Sequence, residues 1–182
     1  MNKIYFLRHG QTDWNALGKI QGCVDNPLNA TGIKQAEEEK LEVDKLDIDI
    51  CITSPLSRAK DRAKIVIGDR DIKIIEDERI IERSYGDWEG ISYEEADKLQ
   101  LRVYKENPTP VPNGETFDDV MSRVEAFLDD VKAKYQGKNV LVVAHGGIAR
   151  CLKIYFEGNE HQKTQVHRTP NCKVVEYDIE VK

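Results

Sequence analysis

The chain has 182 residues, 40% hydrophobic and 33% charged, which suits one domain with a buried core and no low-complexity tract. A net charge of −6 and a pI near 5.3 exclude a basic stripe of the kind that displaces counterions from nucleic acid. No apolar run approaches the ~20 residues that span a bilayer, and the N-terminus enters a strand-like run at once, which predicts a cytoplasmic protein without a leader peptide.

Lys3–Leu7 is a short apolar run that reads as a buried strand and stops on Arg8, His9 and Gly10. A helix over Ile33–Leu46 follows the turn and cap residues Asn29 and Thr31. Ile48–Thr53 is a second buried strand. Ser54 and Pro55 after it offer an N-cap and a first helical position for a helix to Ile67. Ile72–Ile75 is a shorter strand. The interval 76–114 breaks the alternation, with prolines at 108, 110 and 112, a tryptophan and tyrosines, and reads as an insertion or lid at one end of the sheet.

Phe117–Tyr135 is the clearest helix. Its apolar residues Phe117, Val120, Val124, Phe127, Leu128 and Val131 recur at helical spacing, Thr116 can cap it with Asp119 three residues on, and Gly137 follows its end. Asn139–Ala144 is a third long strand that leads through His145-Gly146-Gly147 into a helix over Gly147–Phe156, and Lys173–Tyr177 is a fourth. This alternation predicts an α/β fold of three layers, helix–sheet–helix, around a mostly parallel sheet, in a single domain spanning 1–182.

In such a sheet, ligands bind beyond the carboxyl ends of the strands. Three strands there deliver Arg8 with His9, Arg58 in the first turns of a helix, and His145 before two glycines. Helix N-termini and forked guanidinium donors suit an anion with several oxygens. Gly10, Gly146 and Gly147 would let backbone approach it closely. Two histidines exceed what binding needs, and a neutral imidazole can attack phosphorus. His161 and His167 lack such company and read as ordinary polar residues.

A phosphoryl-transfer site also needs an acid for the leaving oxygen. The segment IEDERIIERSYGDWEG offers Glu76, Asp77, Glu78, Glu82, Asp87 and Glu89, and spacing does not choose among them. Cys23, Cys51, Cys151 and Cys172 include no CxxC pair, so neither zinc nor a redox pair is expected. Cys51 and Cys172 sit in apolar runs as core residues. Cys23 lies near the site in sequence and reads as structural before it reads as a redox switch.

The stretches LRHGQTDWN (7–15), PLNATGIKQA (27–36), SPLSRA (54–59), ERSYGDWEG (82–90), GET (114–116) and VVAHGG (142–147) together resemble the histidine phosphatase superfamily, in the branch that holds phosphoglycerate mutases and acid-type phosphatases. They stand in the family's order over nearly the whole chain. The resemblance implies that His9 becomes phosphorylated, that Arg8, Arg58 and His145 form the phosphate pocket with Asn15 as an auxiliary contact, and that Glu82 is the proton donor. It suggests Gln21, Gly22 and the Gly146 backbone as further contacts.

Arg62 departs from the family pattern, which places a small polar residue, often threonine, there. As an arginine it is expected on the helix surface or the pocket rim. The stretch from Gly90 to Gly114 is shorter than in the mutases, which favours a phosphatase because water must reach the phosphohistidine. The implied function is a metal-independent, cofactor-free phosphomonoester hydrolase acting on a small phosphorylated metabolite. A cofactor-dependent phosphoglycerate mutase, an alpha-ribazole 5′-phosphate phosphatase and a non-catalytic phospholigand-binding module are the alternatives. No nucleic-acid or membrane partner is expected.

Overall fold

A computed structural model of the protein describes residues 2–101, 110–158 and 173–179. In chain order its elements are β1 (Asn2–Arg8), α1 (Asp13–Ala16), α2 (Ala30–Val43), β2 (Ile50–Thr53), α3 (Ser57–Ile67), β3 (Lys73–Glu76), α4 (Tyr93–Lys98), α5 (Phe117–Lys134), β4 (Val140–Ala144), α6 (Gly146–Glu157) and β5 (Val175–Ile179). The strands form one sheet in the order β3-β2-β4-β1-β5. β1 to β4 run parallel, and β5 lies antiparallel on the edge beside β1.

Side chains alternate across a strand, and in β1 that alternation builds both cores. Ile4 and Phe6 face α5 and α6 with Val124, Phe127, Leu128 and Leu152. Tyr5 and Leu7 face α2 and α3 with Ala36, Val43, Ala63 and Val66. The central strands are therefore apolar on both faces, and the three layers follow. A smaller cluster of Ile20, Tyr85, Trp88 and Ala96, joined by Ile91, Tyr93, Leu101 and Val111, packs the described part of the 76–114 insertion.

The α5 cap is as expected. Thr116 accepts from the Asp119 N–H while the Asp119 side chain accepts from the Thr116 N–H. Asn29 caps α2 by accepting from the Gly32 N–H at 2.9 Å. The Ser54–Pro55 start of α3 is corrected. The helix begins at Ser57 without a cap from its own N-cap residue, Leu56, and Asp25 of a distant loop accepts from the Ser57 N–H at 2.8 Å instead. Ser54 Oγ accepts from the Leu56 N–H at 3.4 Å, ahead of the helix, and also meets His145 Nε2.

The last strand is also not a buried one. As an edge partner only alternate residues, Tyr177 and Ile179, are buried. Cys172, His161, His167 and Pro108 lie outside the described residues. Among the described residues no helix is long and apolar enough to cross a membrane.

Candidate active site

β1, β2 and β4 end level with one another. Arg8 pairs with Ala144 and Thr53 with Val143, and the next residues continue the ladder through His9 N–H to Ala144 O at 2.9 Å and Ser54 N–H to Val143 O at 3.0 Å. His9, Ser54 and His145 thus emerge side by side at the carboxyl edge. The two imidazole centroids are 5.1 Å apart, tilted at 55°.

His9 is buried, and its Nδ1 lies 2.7 Å from Gly10 O. A carbonyl oxygen can only accept, so Nδ1 carries the proton and Nε2 keeps its lone pair. Burial holds the His9 pKa well below the usual histidine value, and the positive charges of Arg58, Arg8 and Arg62 push it the same way. The ring is therefore neutral at pH 7.

His145 is fully buried, with Nε2 2.7 Å from Ser54 Oγ, while Nδ1 has no hydrogen-bond partner among the described residues. If the serine hydroxyl donates to Nε2, Nδ1 bears the proton and becomes a donor into the site. Burial, then Arg58, His9 and Arg8, lower its pKa well below normal.

Arg58 has 0% exposure. Its Nη1 and Nη2 donate to Val24 O at 2.8 Å and Gly22 O at 2.7 Å, so the guanidinium is fixed against the 22–24 loop. Burial lowers its pKa to about 10, which leaves it cationic. Arg62, one turn further along α3, is also fully buried. This corrects the expectation of a helix-surface or rim residue. Arg58 and Arg62 share a face at i,i+4, and both charges act on His9.

Glu82 reaches the same edge. Its Oε1 accepts from Arg83 N–H at 2.8 Å and from Gly147 N–H at 3.0 Å in the first turn of α6. Its carboxylate thus sits at the positive end of a helix. A Cβ on Gly147 would lie 2.3 Å from Glu82 Oε1, so here glycine is needed for the close approach.

Gly146 begins α6. The atoms nearest to a Cβ there belong to the Arg8 guanidinium, at an ordinary 3.5 Å, which places Arg8 over the start of α6. Gly10 also packs tightly against the protein's own backbone. A Cβ on Gly10 would stand 2.6 Å from Gly32 O at the start of α2.

The weaker candidates lie in the loops beside these residues. Asn15 completes a capping box with Thr12 at the start of α1. Gln21 is buried and accepts from the Thr12 hydroxyl. Gly22, at φ +53°, gives its carbonyl to Arg58. Cys23 donates to Glu82 O at 3.1 Å, and burial with nearby Glu89, Glu115 and Glu82 pushes its thiol up to about 11, which favours the structural reading.

Sequence reasoning missed Ser54 and misplaced Arg62. From sequence alone neither Glu115, in GET, nor Arg123 has an assigned role. SPLSRA contained the signal for Ser54, as a polar residue directly after a strand end.

The family described as Histidine phosphatase superfamily (branch 1) matches residues 4–182. The chain is 40% identical to "Uncharacterized phosphatase PhoE" of Bacillus subtilis over 172 residues, covering 94% of this chain and 86% of that one. It is 32% identical to the "Metal-independent phosphoserine phosphatase" of Arabidopsis thaliana over 160 residues, 84% of this chain and 67% of that one. A solved mycobacterial glucosyl-3-phosphoglycerate phosphatase, described as complexed with VO3, superposes with a TM-score of 0.83 at 26% identity, over 97% of this chain and 92% of that one. Other relatives and neighbours carry phosphoglycerate mutase and alpha-ribazole phosphatase names.

Proposed function

Because this chain belongs to branch 1 of the histidine phosphatase superfamily and is one of its phosphatases, we propose that it hydrolyses small phosphomonoesters through a phosphohistidine on His9, without a metal. The observation that carries this reading is the His9 tautomer. A buried, neutral ring with its proton spent on Gly10 O has a single nucleophilic nitrogen, Nε2, and cationic guanidinium groups surround it.

The phosphoryl group sits among Arg8, Arg58, His145 Nδ1–H and the N-terminus of α6. The guanidinium groups neutralise the equatorial oxygens, the main requirement of phosphoryl transfer. Asn15, Gln21, Gly22 and Gly146 form the surrounding wall. His9 Nε2 attacks in line, the N–P bond forms and the P–O ester bond breaks.

Glu82, protonated, gives its proton to the departing oxygen. As a carboxylate it then takes a proton from water, whose oxygen attacks phosphorus and releases His9 and orthophosphate. General acid–base help of this kind contributes roughly 10²–10⁴-fold. A phosphoglycerate mutase would pass the same phosphoryl group to a second sugar acid instead of water.

The test is hydrolysis of p-nitrophenyl phosphate by wild type and His9→Ala with EDTA present. The expected result is activity that survives EDTA and vanishes in the variant. Equal activity in both proteins would sink the His9 assignment, and loss with EDTA would sink the metal-free reading. An inactive wild type that isomerises phosphoglycerate when primed with a bisphosphate would be a mutase.

A further inference from the structure

Glu82 lies in a non-helical segment outside the sheet, yet its job requires placement to a fraction of an ångström. Arg123, on the second turn of α5, holds that segment. Its Nη1 donates to Arg79 O and Ile81 O, each at 2.7 Å, and its Nη2 to Glu82 O at 3.2 Å. The remaining donors go to Glu115, Nε to Oε1 at 2.9 Å and Nη2 to Oε2 at 3.0 Å. A guanidinium has five N–H donors, and all five are accounted for by these contacts.

Glu115 extends the brace to the other side of the acid. Its Oε2 also accepts from Ser84 N–H at 2.9 Å, its backbone N–H donates to Ser84 O at 3.0 Å, and its carbonyl accepts from Arg83 Nε at 2.9 Å. Residues on both sides of Glu82 are therefore tied to one ion pair. The pair is anchored on an 18-residue helix whose apolar face is buried in the core. The Thr116–Asp119 capping box fixes the start of that helix directly after Glu115.

We infer that Arg123, braced by Glu115, is the positioning residue for Glu82: it sets the backbone from which the carboxyl group reaches both Gly147 N–H and the leaving oxygen. Arg123 spends its donors on the segment around Glu82 and on Glu115, so its positioning effect passes through Glu82. The inference rests on the reading of Glu82 as proton donor, so the experiment separates the two.

Proton donation matters in proportion to the basicity of the leaving oxygen. p-Nitrophenolate departs with little help, whereas a simple alkoxide such as that of glycerol 2-phosphate does not. In a mechanism with a phosphoenzyme, kcat/KM reports the step that expels this group. The readout is the ratio of kcat/KM for glycerol 2-phosphate to that for p-nitrophenyl phosphate. This ratio does not depend on the fraction of enzyme that is folded.

Glu82→Gln should lower the ratio by about 10²-fold or more. Arg123→Met, which keeps bulk but removes every donor, should lower it by about tenfold or more. Arg123→Lys, which keeps the charge but not the fork, should lie between wild type and Met. The lysine variant also serves if the methionine variant does not fold. A normal ratio in the folded Arg123 variants, with the Glu82→Gln ratio depressed, would overturn the inference alone. A normal ratio in Glu82→Gln would overturn the proton-donor reading itself.

Discussion

His9 is kept neutral by burial and by three arginine charges, and Arg62 is the one that the sequence pattern did not anticipate. Removing a neighbouring cation makes protonation of an imidazole easier. Arg62→Thr should therefore raise the His9 pKa, and the acid limb of the kcat/KM profile should move to higher pH. The expected result is an acid limb displaced to higher pH in the variant relative to wild type. A profile that falls in height without moving its acid limb would assign Arg62 to binding or packing alone. Its burial explains why sequence reasoning misjudged it. An arginine among lysines and aspartate in SPLSRAKDRAK looks like a solvated helix face, and only the direction of α3 against the sheet turns that position inward.

Among the elements, α6 shows how a helix start can serve two residues at once. Its first turn lies over Arg8 at Gly146 and against Glu82 at Gly147. Gly147→Ala would place a methyl group 2.3 Å from Glu82 Oε1 and break the bond from the Gly147 N–H, while its other contacts stay ordinary. We expect an unchanged fold by circular dichroism and a loss of about tenfold in kcat/KM for an alkyl phosphate. An alanine variant as active as wild type would mean that Glu82 works from another position.

The elements themselves were largely legible. Alternation in Ile4–Leu7 and the helical stripe from Val120 to Val131 reproduce the two cores, because binary pattern and burial are the same physics. The start of α3 was not, since its cap is Asp25, more than thirty residues away in the chain, and no local pattern reports a partner at that range. The convergence of Arg8, His9, Arg58 and His145 was legible for the opposite reason. Parallel strands deliver whatever follows them to one edge, so consecutive residues suffice to place the group. Glu82 lies off the strands, which is why only the resemblance singled it out.

The molecule as a whole carries a cost for keeping two imidazoles dry. In the unfolded chain both titrate near the ordinary histidine value, about 6.5. In the folded protein burial holds both well below it. Their contribution is fully present above pH 6.5 and is lost as pH falls toward the folded values, because unfolding then takes up protons. The slope approaches about 1.4 kcal/mol per pH unit for each histidine.

Asp77, Asp119 and Asp130 have lowered pKa values, so their contributions fade only at more acid pH. Between pH 7.5 and 5.5 the melting temperature should therefore fall by several degrees, and by less in His9→Gln/His145→Gln. Equal decreases in wild type and the double variant would show that these histidines titrate alike in both states.

The terminal nitrogens of Arg58 are already spoken for by two loop carbonyls, and its aliphatic stem is walled in. A side chain so immobilised forfeits little entropy when an oxyanion arrives. The same stiffness has a less welcome side. If Arg58 helps to form the proposed phosphate cradle, a cradle that needs no rearrangement to receive an ester needs none to receive free orthophosphate. On the proposed mechanism the last product of each cycle should compete with the next substrate, so turnover is expected to slow as orthophosphate accumulates around the enzyme.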